Sequence, residues 1–85
     1  MAYWWLSFAE SESFRGVAVV RAVDAASALA RTRELGINPG GYVGLFAIPT
    51  MVPPPAELLD HLVADRGRLA ELELSWAAAV QAAAN

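Results

Sequence analysis

The absence of cysteine is the feature that most restricts how this chain can fold. A domain of 85 residues has one modest core, and natural domains of this size add disulfides, metal ions or self-association to stabilise it. Disulfides and thiolate metal sites are excluded, and His61 is the only histidine, so we expect neither a metal site nor a cofactor. Because 56% of the residues are hydrophobic, more than a small monomer easily hides, we expect a homo-oligomer.

Charge and hydropathy argue against two further classes of partner. The six basic residues are all arginines, they are scattered among nine acidic residues, and the net charge is −3. Binding of duplex DNA or RNA draws on clustered positive charge, so we do not expect it. No stretch approaches the roughly 18 consecutive apolar residues of a membrane span, and the first residues lack the basic region of a signal peptide. We therefore expect a cytoplasmic protein without membrane contact.

The first two strands are predicted to form a hairpin. Residues 3–9 are aromatic and apolar on both faces, which is typical of a strand in the centre of a sheet. Residues 14–23 are dense in valine, and the polar turn at residues 10–13 is short enough to make the two strands antiparallel. Strict alternation places Phe14, Gly16, Ala18, Val20 and Ala22 on one face of the second strand, and Arg15, Val17, Val19 and Arg21 on the other.

A helix and a third strand are predicted to follow. Asp24 is a good N-cap for a helix over residues 25–35, and Gly36 supplies the left-handed residue that ends it. The Asn38–Gly41 segment combines proline and glycine as a type II turn requires, and residues 42–48 are the third strand. Strands two and three, joined through a helix, should run parallel, with the first strand between them and antiparallel to both.

The C-terminal third of the chain has a helical pattern that is too long for the domain. From residue 56 to residue 84, leucines, Trp76 and Val80 recur at spacings of three, four and seven residues. One helix over that range would measure about 40 Å at about 1.5 Å per residue, which exceeds the width of a domain of this size. The helix therefore either breaks near Gly67 or projects and packs on another chain. The residues predicted to form that interface are Leu69, Leu72, Trp76 and Val80.

Together these elements predict an α+β fold in the order β-β-α-β-α. A three-stranded mixed sheet has one helix packed on it, and a long or broken C-terminal helix follows. Residues 1–55 make the ββαβ core, and residues 56–85 are a helical segment of the same single domain.

Two polar turns are expected to share one end of this sheet, because parallel strands begin at the same edge. Glycine amides, hydroxyls and a guanidinium that converge there can hold an anion such as a phosphate or a carboxylate. The alternatives are structural: the turn residues serve a tight reversal, the arginines cover apolar surface, and the aromatic residues belong to the core or to an interface. The predicted site comprises Ser11, Ser13, Arg15, Asn38, Gly40 and Gly41, with Arg21 as a second cation and Tyr3 or Trp5 stacking on the ligand.

The inventory of catalytic groups argues against an enzyme. Lysine and cysteine are absent, and His61 and Asp60, as neighbours on a predicted helix, point in different directions and form no dyad. We therefore expect a non-catalytic, oligomeric binding module for a small anionic or nucleotide-like ligand. The alternative is a protein–protein interaction module that docks through the apolar C-terminal helix.

Short segments of the first two thirds of the chain carry a family resemblance. They are Trp5–Ala9 (WLSFA), Phe14–Val17 (FRGV) and Asn38–Gly41 (NPGG). With these segments the chain resembles, over residues 3–55, a group of small bacterial proteins that have no established activity. The resemblance implies a shared fold and carries over no catalytic residue, and it keeps a role in a phage or in host defence among the expectations.

Overall fold

The elements follow one another in the predicted order, β-β-α-β-α, in a computed structural model that describes residues 1–84. They are β1 (Ala2–Glu10), β2 (Ser13–Ala22), α1 (Ala25–Glu34), β3 (Tyr42–Ile48) and α2 (Arg66–Ala84). The strands run in the order β2-β1-β3, and β1 is antiparallel to both of its neighbours. This confirms the α+β fold and the central position that the apolar character of β1 on both faces predicts.

One face of the sheet is covered by α1. Leu6 and Phe8 of β1 are buried there against Ala18 and Val20 of β2, and Ala28 of α1 packs on them. The small side chain of Ala28 lets the helix axis lie close to the sheet without leaving a void. This layer forms the first half of the core.

The opposite face is covered by α2, which corrects the interface predicted for this helix. Leu69, Leu72 and Trp76 are buried in the chain's own core together with residues of β2. The indole N–H of Trp76 donates a hydrogen bond to the carbonyl oxygen of Val52 at 3.0 Å. These three side chains are covered by the chain itself, whereas residues 77–84 of the helix are exposed apart from the partly buried Val80. Of the four predicted interface residues, Val80 alone stays partly exposed.

The helix α2 is shorter than its sequence pattern predicts. Residues 56–65 form turns, and the helix begins at Arg66. Its start is fixed by Asp65, whose carboxylate accepts a hydrogen bond from the backbone N–H of Arg68 at 3.0 Å. Gly67 lies in the first turn, so the helical pattern of residues 56–84 is interrupted next to Gly67, as one of the two alternatives predicted. Neither α2 nor any other helix in residues 1–84 is long and apolar enough to cross a membrane.

Residues 58–63, termed the edge segment here, run along the outer side of β2. The N–H of Val17 donates to the carbonyl of Val63 at 3.0 Å, and the N–H of Val63 donates back to Val17 at 2.9 Å. Farther along, the N–H of Asp60 donates to the carbonyl of Val19 at 2.8 Å. A helix would satisfy these backbone groups internally, so pairing with the strand has outweighed the local helical preference.

A β-bulge in β2 changes the face that Phe14 occupies. Phe8 pairs with Gly16 and Ala9 pairs with Phe14, so Arg15 is the extra residue. The shift turns Phe14 towards α2, where it packs against the buried core, and the strict alternation expected at the start of this strand is wrong. Gly16 adopts a φ of +134°, a conformation that residues with a side chain rarely adopt.

Two exposed carboxylates accept strong hydrogen bonds in the folded state. Asp24 caps α1 by accepting a bond from the backbone N–H of Ser27 at 2.7 Å, and this bond lowers the pKa of Asp24. Glu57 accepts bonds from Nε and Nη2 of Arg68 at 2.8 and 2.6 Å. This bidentate pairing lowers the pKa of Glu57 and raises the pKa of Arg68.

Acidification is expected to destabilise the protein through these two carboxylates. Because folding lowers the pKa of Asp24 and of Glu57, their contribution to stability is present above their unfolded-state pKa values near 4. It is lost as the pH falls through the lower folded-state values. The melting temperature, followed by circular dichroism, should therefore fall between neutral and strongly acidic pH. An Asp24→Asn, Glu57→Gln double variant, which keeps an N-cap, should lose less over the same interval. An equal loss in both proteins would contradict this assignment.

Candidate functional site

The two polar turns lie at the same end of the sheet. Glu10 pairs with Ser13 at the end of the hairpin, and Ala9 pairs with Tyr42, the first residue of β3. Gly41 approaches β1 so closely that a side chain at this position would overlap the carbonyl oxygen of Ala9. The glycine is therefore required by the close approach of the two turns.

Two of the polar side chains at this end, those of Arg15 and Asn38, already have hydrogen-bond partners within the chain. Arg15 donates a hydrogen bond to the carboxylate of Glu10. The side chain of Asn38 accepts a bond from the N–H of Gly40 at 2.8 Å and donates one to the hydroxyl of Thr32 at 3.2 Å. A carboxylate beside the guanidinium makes the depression at this end a poor site for an anion. That depression encloses about 430 Å³ and is lined by Glu10, Ser11, Ser13, Phe14 and Arg15, and not by Asn38, Gly40 or Gly41.

Arg21 and Tyr3 lie at the other end of the sheet. They face each other across the β1–β2 pair, about 20 Å from Arg15 along the strand at about 3.3 Å per residue. The guanidinium carbon of Arg21 lies 5.9 Å from the centre of the Tyr3 ring. That ring packs edge to face on Trp76, with ring centres 6.1 Å apart. The structure therefore does not bring the second cation and Tyr3 to the turns.

A larger and mainly apolar groove lies on the α2 side of the sheet, between β3 and α2. It encloses about 600 Å³, within the range of natural binding pockets. Trp5 stacks on Phe46 with ring centres 6.3 Å apart and planes inclined by 19°. Phe46 nevertheless stays 56% exposed, because nothing in residues 1–84 covers its outer side. The residues that line this apolar groove are Trp5, Phe46, Ile48, Glu73, Trp76, Ala77, Val80 and Gln81.

Two polar side chains, those of Glu73 and Gln81, border the apolar groove. Among the described residues that line it, Glu73 carries the only charge, so the groove suits an apolar, neutral or cationic group better than an anion. Within residues 1–84, no three histidine or carboxylate side chains lie close enough together to hold a metal ion. The chemistry available is burial of apolar surface, with one carboxylate and one amide for orientation.

The strand β3 leaves one edge of the sheet open beside the apolar groove. It pairs with β1 on one side, and no segment of residues 1–84 pairs with its other side. Alternate backbone N–H and C=O groups of β3 therefore face outward without a strand partner. Tyr42, the first residue of β3, is 77% exposed, and Met51, three residues beyond the end of the strand, is 95% exposed. This side is termed the open edge of β3.

Three residues of the apolar groove were predicted from the sequence, but they were assigned to two different sites. Trp5 was predicted to stack on a ligand, and Trp76 and Val80 were predicted to form an interface. The structure brings these three side chains to one groove and adds Phe46 and Ile48, which the sequence analysis missed. The available signal was β3 itself, which is apolar on both faces.

No known protein matches this chain, so none indicates a function for the apolar groove. Comparison of the chain with protein-family models, with curated proteins and with solved structures found no match. The resemblance to a group of small bacterial proteins therefore stays a prediction.

Proposed function

We propose that this protein is a non-catalytic protein-interaction module that binds an extended, apolar segment of another polypeptide. The observation that carries the proposal is the position of the apolar groove beside the open edge of β3. Recognition by strand addition uses these two features together. Backbone hydrogen bonds along an edge provide affinity, and pockets for alternate side chains provide specificity.

The apolar groove supplies the side-chain part of this recognition. Phe46 rests on Trp5 with more than half of its surface in solvent, and covering that surface would contribute about 1 kcal/mol. The facing wall is formed by Ala77 and Val80 of α2. Their short side chains leave room for an apolar side chain of a partner.

The open edge supplies the backbone part. The strand Tyr42–Ile48 contains no charged residue and no proline before Pro49, so a partner strand can pair along its whole length. In the middle of the strand, a side chain added at Gly44 would find nothing within 4 Å. The face of the sheet is therefore open at this position, and a partner's side chain can lie over it.

The small anionic ligand expected from the sequence has less support. Arg15 is paired with Glu10 at the turn end, and the apolar groove carries a carboxylate at Glu73. An enzymatic role also lacks support, because the only histidine, His61, is exposed and its Nδ1 lies 2.7 Å from the carbonyl oxygen of Leu59. The groove thus offers binding surface and a single carboxylate in place of a catalytic pair.

Replacing Phe46 by glutamate is expected to abolish peptide binding. The probes are short synthetic peptides with apolar residues at alternate positions, titrated into labelled protein while backbone amide shifts are recorded. Shifts should concentrate in residues 42–48 and 73–81. Phe46→Glu should weaken binding by at least roughly tenfold, because a carboxylate would be buried without a partner.

The matched control is Leu74→Glu, which adds the same charge to an apolar residue that is 73% exposed and outside the groove lining. It should leave peptide affinity within about twofold of the wild type. The alternative, a site for a small anion, is tested by titration with inorganic phosphate and with a nucleoside monophosphate. Phosphate-induced shifts at Arg15 and Gly40, with no peptide response at the groove, would overturn the proposal in favour of an anion site.

A further inference from the structure

We infer that the segment accepted by this site is β3 of a second copy of the chain, paired antiparallel about a two-fold axis at Leu45. The inference rests on the proposed function, because it names the partner of the same groove and edge. Two three-stranded sheets would join into one sheet of six strands. Three features of the molecule support this pairing: the contrast between the two edges of the sheet, the self-complementarity of β3 and the completion of the groove.

The two edges of the sheet are treated differently by the fold. The outer side of β2 is covered by the edge segment, through backbone hydrogen bonds at Val17 and Val19. The outer side of β3 carries none of the usual protections, since the strand has no charge, no proline and no bulge. Natural sheets rarely leave such an edge unprotected unless another strand covers it.

The sequence of β3 is complementary to itself in an antiparallel pair. With Leu45 opposite Leu45 of the second copy, the whole of Tyr42–Ile48 is paired, and Phe46 stands opposite the second copy's Gly44. An aromatic side chain beside a glycine of the neighbouring strand fills the space that the glycine leaves. Tyr42 falls opposite Ile48, and no like charges meet anywhere along the pair.

Each copy would also complete the groove of the other. Residues opposite one another in an antiparallel pair point to the same side of the sheet, so both apolar grooves and both α2 helices lie on one side. The exposed ring of Phe46 then sits between the two copies. The two grooves would join into one apolar surface bounded by the two α2 helices. Each copy would supply half of that surface.

A charge-pairing experiment tests the partner and the register together. Sedimentation equilibrium of the full chain should show the mass doubling as concentration rises from low to high micromolar. Gly44→Glu and Phe46→Lys should each weaken the dimer at least tenfold. An equimolar mixture of the two should restore it, because the mixed pair contains one Glu–Lys contact and one intact Phe–Gly contact. Leu74→Lys is the control and should dimerise like the wild type.

Folding of each variant is checked by thermal unfolding, and the open space at Gly44 makes Gly44→Glu compatible with the fold. A wild type that stays monomeric over the whole range would overturn the inference while leaving peptide binding by the groove intact. Two folded variants that still dimerise separately, or a mixture that does not recover, would overturn it as well. The proposed function fails on a different result, which is equal peptide binding by Phe46→Glu and the wild type.

Discussion

Replacing Trp76 by alanine is expected to remove a large share of the protein's free energy of unfolding. The side chain is 5% exposed, it packs edge to face on Tyr3, and its N–H donates to the carbonyl of Val52 at 3.0 Å. Removing a buried aromatic side chain of this size costs about 3–5 kcal/mol, and the carbonyl of Val52 would lose its donor. Small domains are stable by only about 5–15 kcal/mol in total. Urea unfolding followed by far-ultraviolet circular dichroism measures the loss.

A surface residue of the same helix provides the control for this substitution. Leu74 is 73% exposed, and Leu74→Ala should change the free energy of unfolding by no more than about 0.5 kcal/mol. If Trp76 instead served an interface between chains, Trp76→Ala would lower the association constant and leave the unfolding midpoint of the monomer unchanged. That result would contradict the burial described here.

Replacing Gly16 by alanine is expected to cost about 2–5 kcal/mol, the sum of backbone strain and of crowding in a packed core. The residue has a φ of +134°, and an added Cβ would lie 2.8 Å from Leu62 Cδ1 and 3.1 Å from the carbonyl oxygen of Val63. The methyl of Leu62 can shift, whereas the carbonyl of Val63 is held by its hydrogen bond from Val17 at 3.0 Å. The melting temperature should therefore fall by many degrees.

Gly44→Ala is the control for the Gly16→Ala substitution. It lies in β3, and a Cβ there would meet nothing within 4 Å. Gly44→Ala should be neutral or slightly stabilising, because alanine restricts the unfolded chain without straining the strand. Equal melting temperatures for Gly16→Ala and Gly44→Ala would show that the bulge at Gly16 is not constrained as described.

The parts of the fold that local sequence determines were predictable. The apolar character of β1 on both faces predicted its central place, and Asp24 predicted the start of α1, where its side chain accepts the bond from Ser27. The path of residues 56–65 was not predictable in this way. Leucines at helical spacing favour a helix, and the hydrogen bonds to β2 that decide against it join residues far apart in sequence.

The candidate site was predictable only in pieces, because its properties depend on which elements meet. Spacing places Trp76 on one face of a helix but does not say whether the sheet of the same chain covers that face. Arg15 and Asn38 have the chemistry of an anion site. Their partners, Glu10 and Thr32, become visible only when the turns are folded. The groove beside Phe46 is lined by β3 and α2, two elements that meet only in the folded chain.

The pairing of residues 58–63 with β2 limits how many copies of the chain can join into one sheet. A sheet with two bare sides would add further molecules at either one and polymerise into fibres. With the middle of β2 already bonded to its own chain at Val17 and Val19, β3 is the edge left for a neighbour, and addition would stop after a single step. A short irregular stretch far from the contact surface would thus set the stoichiometry of the assembly.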